Sequence, residues 1–370
     1  MRRGAIVAAA LAAAALLAGC GSREEIRRGG TVIGDTLTVY SSLPDPSSGA
    51  SRDLVDGEKL ALLEAGGRAG AYRINFASLD EAGAEPGEAV AQAATVTRVA
   101  LKDAQIAAVI GGLRFEAAMA SVPLLNAAGI LQVSPGAAYA GFTEPVGPGE
   151  PERWFPAGRS TFARVIADDR VQAQAMLRAA RARRVVVEAE AGPAATALAQ
   201  ELRRAARAEG IRLVEAPEQA GAVLYAGEDA ENAAGVASAL AREAPEARVV
   251  LPDAVTRAGV AGRLEGAARR RVLLMSSAPV PGSTPALRRF EAAFRARFNR
   301  SPGPSAAVGH AAMRSVLDAI ARAGKQAGDR QAVIDAYFAR PSLPTLLGSL
   351  RFEPSGARVD GRYVAMAPGD

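Results

Sequence analysis

The stretch AAVIGGLRFEAAMASVPLLNAAGILQV, residues 107–133, decides the expected fold. It opens with four apolar residues, turns at two glycines, continues with apolar residues at helical spacing and ends in a second apolar run. A strand, a glycine turn, a helix and a second strand make a βαβ unit, whose parallel strands need a helical connection. Such units bind ligands at the carboxyl ends of their strands, beside helix N-termini. We therefore expect function near residues 112–116 and 134–139.

The same alternation of strand and helix extends outward from this unit. It begins at Leu37 and runs through the unit, and after a Gly- and Pro-rich stretch it resumes at Phe162 and continues to Met275. This pattern predicts an α/β protein with two similar units, each a parallel sheet covered on both faces. Residues 287–338 then carry helical periodicity without strands, so we expect these helices to pack back onto an earlier unit. The segments 350–352 and 363–366 are predicted to pair as a closing hairpin.

The N-terminus carries a processing signal. A charged start, an apolar run at 5–17 that is too short for a stable membrane span, and the sequence LAGC ending at Cys20 follow one another. This order resembles a bacterial lipoprotein signal peptide, which implies cleavage before Cys20 and lipidation of its thiol. Residues 1–19 are then the signal peptide and 20–35 a lipidated tether, and the folded part is extracytoplasmic and membrane-anchored. The alternative is an ordinary signal peptide with an incidental cysteine.

Composition argues against several functions. The net charge is +5, but the longest basic cluster has three residues and no stretch interleaves basic and aromatic side chains, which argues against nucleic acid. Cys20 is the only cysteine and His310 the only histidine, so a disulfide within the chain and a cysteine-rich metal site are excluded. No GxSxG, HExxH, GxGxxG or Walker motif occurs. We expect a structural His310, no metal, no cofactor and no enzyme; Glu188 and Glu190 could serve acid–base chemistry, but solvation or ligand contact explains them equally well.

At this point the chain resembles a known family. The ordered motifs are similar to those of the periplasmic-binding-protein type I family, and more closely to the branched-chain amino-acid substrate-binding lipoproteins of ABC importers. The matching pieces are LTVYSSLP at 37–44, DGEKLAL at 56–62, VIG at 109–111, PLLNAAGILQVSP at 123–135, the segments 162–172 and 290–298, and FEPSG at 352–356.

The resemblance implies an architecture and a function. The fold is two Rossmann-like α/β lobes joined by three crossing segments, with the ligand in the cleft between them. The implied divisions are an N-terminal lobe at 36–162, a C-terminal lobe at 163–278, helices at 279–346 that return to the first lobe, and closing strands at 347–370 on the second. The implied function is capture of a small amino-acid-like solute by hinge closure and its delivery to an ABC permease in the membrane, by a protein that is itself a monomer.

The residues expected to touch the solute depart from the family pattern. The candidate ligand-binding residues are Arg114, Phe115, Glu116, Ser134, Ala137, Ala138, Tyr139, Glu188, Glu228 and Asp253. Relatives place small hydroxyl residues where this chain has 114–116 and 137–139, and an Asp followed by Tyr-Gly where it has EAEAG at 188–192. Arg114 could replace the missing hydroxyls as a bidentate carboxylate clamp oriented by Glu116, or the two could form a rim ion pair. The acid for the ammonium is Asp253 or Glu228.

A second hypothesis follows from the same departures. A binding-protein fold that has lost its solute would serve as a sensor or a protein-interaction module. It predicts a cleft filled by Phe115 and Tyr139.

Overall fold

Two six-stranded sheets form the frame of the molecule, in a computed structural model that describes residues 30–43, 48–81 and 89–369. Cys20, the signal peptide and most of the tether lie outside the described residues. The described chain begins against the far end of the first lobe, where the Val32 amide donates to the Gly328 carbonyl at 2.7 Å and Thr31 forms a bridge with Asp329.

The first sheet has the strand order β2-β3-β1-β4-β5-β6 and is parallel except for the β2–β3 hairpin. Its strands are β1 (Thr36–Leu43), β2 (Arg68–Ala69), β3 (Tyr72–Asp80), β4 (Ile106–Ile110), β5 (Leu131–Ser134) and β6 (Phe162–Arg164), and its helices are α1 (Gly49–Glu64), α2 (Ala89–Ala100) and α3 (Phe115–Ala127). Strands β4 and β5 pair in parallel with α3 between them, so the βαβ prediction is confirmed. Gly112 makes the turn at a positive φ of 69°, a conformation that other residues rarely adopt.

The second sheet repeats this construction with the order β14-β11-β10-β9-β7-β8, in which the edge strand β14 is Val364–Met366. Its parallel strands are β7 (Arg184–Ala189), β8 (Arg212–Leu213), β9 (Ala222–Ala226), β10 (Arg248–Leu251) and β11 (Val272–Ser276), and its helices are α4 (Asp169–Ala180), α5 (Pro193–Ala208), α6 (Ala230–Glu243), α7 (Asp253–Arg257) and α8 (Gly266–Arg271). Apolar residues cover both faces of the sheet, which explains why the central strand β9 is buried along its whole length.

The three strandless helices belong to the first core. They are α9 (Pro285–Phe298), α10 (Pro304–Ala323) and α11 (Arg330–Phe338). Two glycines bring the backbones of α1 and α10 into contact: a Cβ at Gly57 would lie 2.0 Å from the Ala306 carbonyl oxygen, and one at Gly309 would lie 2.1 Å from that of Leu54. His310 is buried on α10, with Nε2 2.9 Å from Glu64 and its ring edge-on to Phe290. None of the helices in the described part is both long and apolar enough to span a membrane.

The end of the chain differs from the expected hairpin. Strand β12 (Leu343–Thr345) pairs with β13 (Gly348–Leu350), whereas β14 (Val364–Met366) adds antiparallel to β11 at the edge of the second sheet. The boundary at 347 is also wrong, because Leu347, Leu350 and Phe352 are buried in the first core. Only the last strand lies on the second lobe. The family resemblance implied that division, and the apolar side chains at 347–352 could not correct it because they match either core.

Three segments carry the chain between the sheets: one after β6, one after β11 and one between β13 and β14. The first and third are tied to each other. The Tyr363 hydroxyl donates to the Ala167 carbonyl at 2.8 Å, and the buried Arg358 donates to the carbonyls of Val165 and Leu347. The prediction of two α/β lobes joined by three crossing segments is confirmed.

The sequence predicts that Ser51 caps α1, and the structure corrects this prediction. Ser51 has the sequence position of an N-cap, but the cap is Ser48, whose hydroxyl accepts a hydrogen bond from the Ser51 amide at 3.2 Å. Several capping residues follow one another here, so the sequence permits more than one start.

A buried acid lies inside α1. Glu58 is fully buried, and neither carboxyl oxygen has a hydrogen-bond partner among the described residues. Burial raises the pKa of Glu58 to about 8; the nearby Ser41 hydroxyl, outside hydrogen-bond geometry, and Lys59 oppose this only in part. The raised pKa means that the contribution of Glu58 to stability is fully present below its ordinary pKa of about 4.5 and is lost as the pH rises through 8.

We therefore expect Glu58→Gln to stabilise the protein at alkaline pH and to change little at pH 4.5. At pH 8.5 the free energy of unfolding should exceed that of the wild type by roughly 2–5 kcal/mol, because the amide carries no charge to bury. Urea unfolding at pH 4.5, 6.5 and 8.5 measures this. Glu215→Gln, in an exposed loop, is the control. Parallel pH profiles for wild type and Glu58→Gln would contradict a buried, neutral carboxyl.

Candidate functional site

The candidate site is the cleft where the strand-end loops of the two sheets face each other. Loops after β4 and β5 come from the first lobe, and loops after β7, β9 and β10 come from the second. They enclose an inner cavity of about 40 Å³. Its lining includes Phe115, Ala138, Tyr139, Asp169, Leu198, Glu228, Asp253 and Arg257.

The loop after β5 is held rigidly by its first residue. The buried Ser134 hydroxyl donates to the Gly112 carbonyl at 2.7 Å and accepts from the amides of Gly136 and Ala137 at 3.2 and 2.9 Å. Ser134 therefore positions the loop and has no remaining donor for a solute. Of the two alanines that follow Gly136, Ala137 is buried beneath the loop surface and Ala138 lines the cavity.

A fully buried arginine supports the same loop from below. Arg164, in the last residue of β6, donates through Nη1 to the Tyr139 carbonyl at 2.6 Å and through Nη2 to the Thr143 hydroxyl. Burial lowers the pKa of Arg164, whereas Asp168 and Asp169 favour its charge. The guanidinium thus joins the loop of the first lobe to the start of the first crossing segment.

Asp169 follows this arginine and reaches the cavity wall. Its Oδ1 accepts a hydrogen bond from the Ala140 amide at 3.1 Å. Burial raises the pKa of Asp169 to about 7, Asp168 adds to this rise, and Arg164 opposes it. Asp169 is therefore partly ionised at pH 7 and mostly neutral only below neutral pH.

Aromatic rings form the first-lobe wall of the cavity. Phe115 meets Tyr139 edge-on with ring centroids 5.1 Å apart, and both contact Phe142, which contacts Trp154 at 5.1 Å. The Tyr139 hydroxyl points away from the cavity and donates to the carboxylate of Glu150 at 2.8 Å. Phe115 and Tyr139 thus form part of the cavity wall and pack on the aromatic cluster of the first lobe.

An ion pair crosses the mouth of the cleft. Nε of Arg114 lies 3.5 Å from Oε2 of Glu228, so one lobe supplies the cation and the other the anion. The expected Arg114–Glu116 pair, as clamp or rim, is absent from the described residues; Glu116 instead acts on Glu228. Burial raises the pKa of Glu228, Arg114 opposes this rise and Glu116 adds to it. With half of the Arg114 side chain exposed, such a pair contributes about 0.2–1 kcal/mol.

Asp253 is committed within the protein, contrary to its expected role toward an ammonium. Its Oδ1 accepts from the amide and the hydroxyl of Ser277 at 2.7 and 2.9 Å, and its Oδ2 accepts from Nε of Arg257 at 2.8 Å. Three donors leave the buried carboxylate without free charge. Asp253 lies at the predicted place, but its charge is already compensated.

Glu188 lies outside the cavity lining, whereas Glu190, two residues further on, holds a nearby loop in place. Glu190 accepts hydrogen bonds from the Tyr225 hydroxyl, the Glu228 amide at 2.9 Å and the Asn232 side chain at 3.1 Å. It therefore fixes the loop that carries Glu228.

A larger, open cavity of about 760 Å³ lies at the mouth. The N-termini of α1, α6 and α10 border it, together with Arg114, Glu228, Arg257 and Arg263. The described residues contain no group of three or more His, Cys, Asp or Glu side chains placed to hold a metal ion.

Comparison with known proteins rests on structure. No family model matches this chain, and no curated protein sequence does. The solved structures are different: an ABC transporter substrate-binding protein from Desulfitobacterium hafniense, in complex with leucine, superposes with a TM-score of 0.71 at 16% identity over 90% of this chain and 100% of that chain. This chain has the periplasmic-binding-protein type I fold. The leucine-binding protein LivK from Thermotoga maritima gives 0.72 at 17% identity, covering 90% of this chain and 98% of that one.

Another structure with the type I fold carries a different ligand. A solute-binding protein of an ABC transporter from Rhodopseudomonas palustris, in complex with benzoate, gives a TM-score of 0.70 at 16% identity, with 90% of this chain and 96% of that chain covered. The fold implied by the sequence resemblance is thus confirmed.

Sequence reasoning missed three charged residues of the cleft: Arg164, Asp169 and Arg257. Arg257 had a usable signal, because it follows Asp253 at the i,i+4 spacing of a helical ion pair. Arg164 had none, since one arginine between apolar residues on a short strand is indistinguishable from an edge position. Only the fold shows that this side chain points inward.

We expect Arg164→Met to cost about 2–5 kcal/mol in the free energy of unfolding, because it leaves the buried Tyr139 carbonyl and Thr143 hydroxyl without their donor and removes the positive charge near Asp168. The Arg164→Lys variant should lose less stability, since the ammonium of lysine keeps the positive charge but not the planar fork of donors that a guanidinium has. Urea unfolding followed by the fluorescence of Trp154 gives both values. Arg159→Met, half exposed and 3.4 Å from Asp335, is the control and should change stability by less than about 1 kcal/mol. A similarly small loss at Arg164 would contradict its supporting role.

Proposed function

We propose that this protein is an extracytoplasmic, lipid-anchored solute-binding protein that captures a small carboxylate-bearing solute and delivers it to an ABC permease. The observation that carries the proposal is the cleft itself, in which the strand-end loops of two lobes converge on one cavity and Arg114 and Glu228 meet across its mouth. Leucine and benzoate, bound by proteins of the same fold, share a carboxylate.

Hinge closure fits the way the lobes are joined. The tied first and third crossing segments form a narrow connection, while each lobe has its own apolar core. Opening the lobes breaks the half-exposed ion pair at little cost and gives a solute access to the inner cavity. We propose that the protein acts as a monomer that binds without catalysis, and that the closed form is the one the permease recognises.

A solute panel tests this proposal. The full-length protein, purified in detergent, should be stabilised by one member of a panel of α-amino acids, short amides and carboxylates. At a hundredfold excess over Kd the gain is about 2.7 kcal/mol, seen as a thermal shift. Trp154, the only tryptophan, contacts Phe142, which contacts Phe115 at the cavity wall, so its fluorescence should change with the same solute. A panel without any shift or fluorescence change would contradict solute capture.

A second function has one specific observation in its favour. The inner cavity of about 40 Å³ is much smaller than the roughly 150 Å³ of an apolar cavity that admits benzene, and Phe115 and Tyr139 form its wall. A type I fold closed on its own side chains would act as a sensor or a protein-interaction module. Phe115→Ala with Tyr139→Ala separates the two proposals: solute binding that appears only in this variant favours the filled cleft.

Lipid anchoring has its own test, independent of the solute. Cys20→Ala should abolish incorporation of a labelled fatty acid and move the protein from the membrane fraction to the soluble fraction, because more than one acyl chain is needed for stable anchoring. Labelling of whole cells followed by immunoprecipitation measures this. Ser22→Ala, two residues further on, is the control and should be labelled like the wild type. Equal labelling of the Cys20→Ala variant would contradict the anchor.

A further inference from the structure

One cation of the second lobe has its hydrogen-bonding end in the inner cavity. Arg257 closes the short helix α7 and is only 7% exposed. Its Nε is held by Asp253, so the rest of the guanidinium points onward, toward the first lobe. Its Nη1 lies 3.0 Å from the point where a Cβ on Gly136 would be, and the absence of a side chain there lets the guanidinium approach the loop after β5.

This end of the guanidinium is not used by the protein. Among the described residues, Nη1 and Nη2 of Arg257 have no hydrogen-bond acceptor, and Asp253 is the only acid within ion-pair distance. Nη1 and Nη2 carry four of the five N–H donors of a guanidinium, so most of the donors of Arg257 are left for a ligand in the cavity that this residue lines. The fork matches the two oxygens of a carboxylate.

The acids of the cleft are less suited to an ammonium than Arg257 is to a carboxylate. Asp253 already accepts three hydrogen bonds, and Glu190 accepts hydrogen bonds from the loop that it fixes. Glu228 pairs with Arg114 at the mouth, and burial raises the pKa of Asp169 to about 7, so this carboxyl is mostly uncharged below neutral pH. Below neutral pH the ammonium of an α-amino acid would therefore be buried without a charged partner, which weakens binding.

The size of the cavity limits the rest of the solute. A cavity holds one water molecule for about every 10–15 Å³ of its volume, so the 40 Å³ of the inner cavity corresponds to about three waters. Phe115, Tyr139 and Leu198 provide an apolar wall beside the cation. We propose that the cleft recognises a short-chain monocarboxylate of about two to four carbons without an ammonium, with Arg257 as its carboxylate-binding residue. This inference rests on the proposed solute-binding function and names its substrate class.

Matched compounds test the inference directly. Propionate and alanine share a three-carbon skeleton and differ only in the ammonium, and ethylamine is alanine without its carboxylate. Isothermal titration of the full-length protein in detergent, at constant ionic strength, should show propionate binding at least tenfold more tightly than alanine and ethylamine not at all. Arg257→Gln should weaken propionate binding at least thirtyfold, and Arg257→Lys should weaken it less, since the ammonium keeps the charge and can still reach Asp253.

Controls keep the outcomes distinct. Arg289→Gln, an exposed arginine of α9 that lines neither cavity, should bind propionate like the wild type, and the Trp154 emission spectrum establishes that each variant is folded. Alanine binding as tightly as propionate would overturn the inference and leave solute capture standing, as would benzoate binding more tightly than propionate. A folded Arg257→Gln variant with unchanged affinity would remove Arg257 from the site. If leucine, benzoate and all three matched compounds fail to bind, the proposed function itself falls.

Discussion

The buried charge of Arg164 is the constraint on which the cleft depends. A guanidinium that is buried away from solvent must donate its hydrogen bonds to carbonyls and hydroxyls of the protein. Arg164 donates them to the loop after β5. Asp168 and Asp169, at the start of α4, favour its charge electrostatically, so the same charge links the last strand of one lobe to the first helix of the other. The cavity wall and the crossing segment are therefore one electrostatic unit. The ligand-facing loop cannot move independently of the connection between the lobes.

The periodicity of apolar residues was sufficient to predict most of the fold. The βαβ unit at 107–133 and the return of the strandless helices follow from apolar spacing, because each parallel strand and each amphipathic helix must be covered. The errors fall where several residues satisfy the same rule. Ser48 and Ser51 are both competent caps, and the apolar residues at 347–352 match either core. Local pattern cannot choose between two equal solutions that differ only in tertiary packing.

The site was found less completely than the fold, for a physical reason. Strand ends gave its position, but its chemistry depends on which charges are already neutralised inside the protein. Asp253 and Glu188 look like free acids in sequence; in the structure one is saturated by donors and the other lies outside the cavity lining. Conversely, Arg257 becomes important because only one of its nitrogens is satisfied. A sequence shows which charged residues a cleft can contain. It does not show which of them stay unpaired after the protein has formed its internal ion pairs and hydrogen bonds, and those unpaired groups determine selectivity.

The contact of Val32 with Gly328 would have a mechanical consequence if Cys20 carries the proposed lipid. It ties the start of the described chain to the first lobe, at the end of that lobe opposite the cleft. The ten peptide units from Cys20 to Gly30 can span at most about 35 Å, and β1 adds roughly 25 Å between that end and the cleft. Under the proposed anchoring, the cleft would therefore stay within about 60 Å of the bilayer. The first lobe would be the tethered one, and hinge motion would then displace the second lobe relative to the membrane.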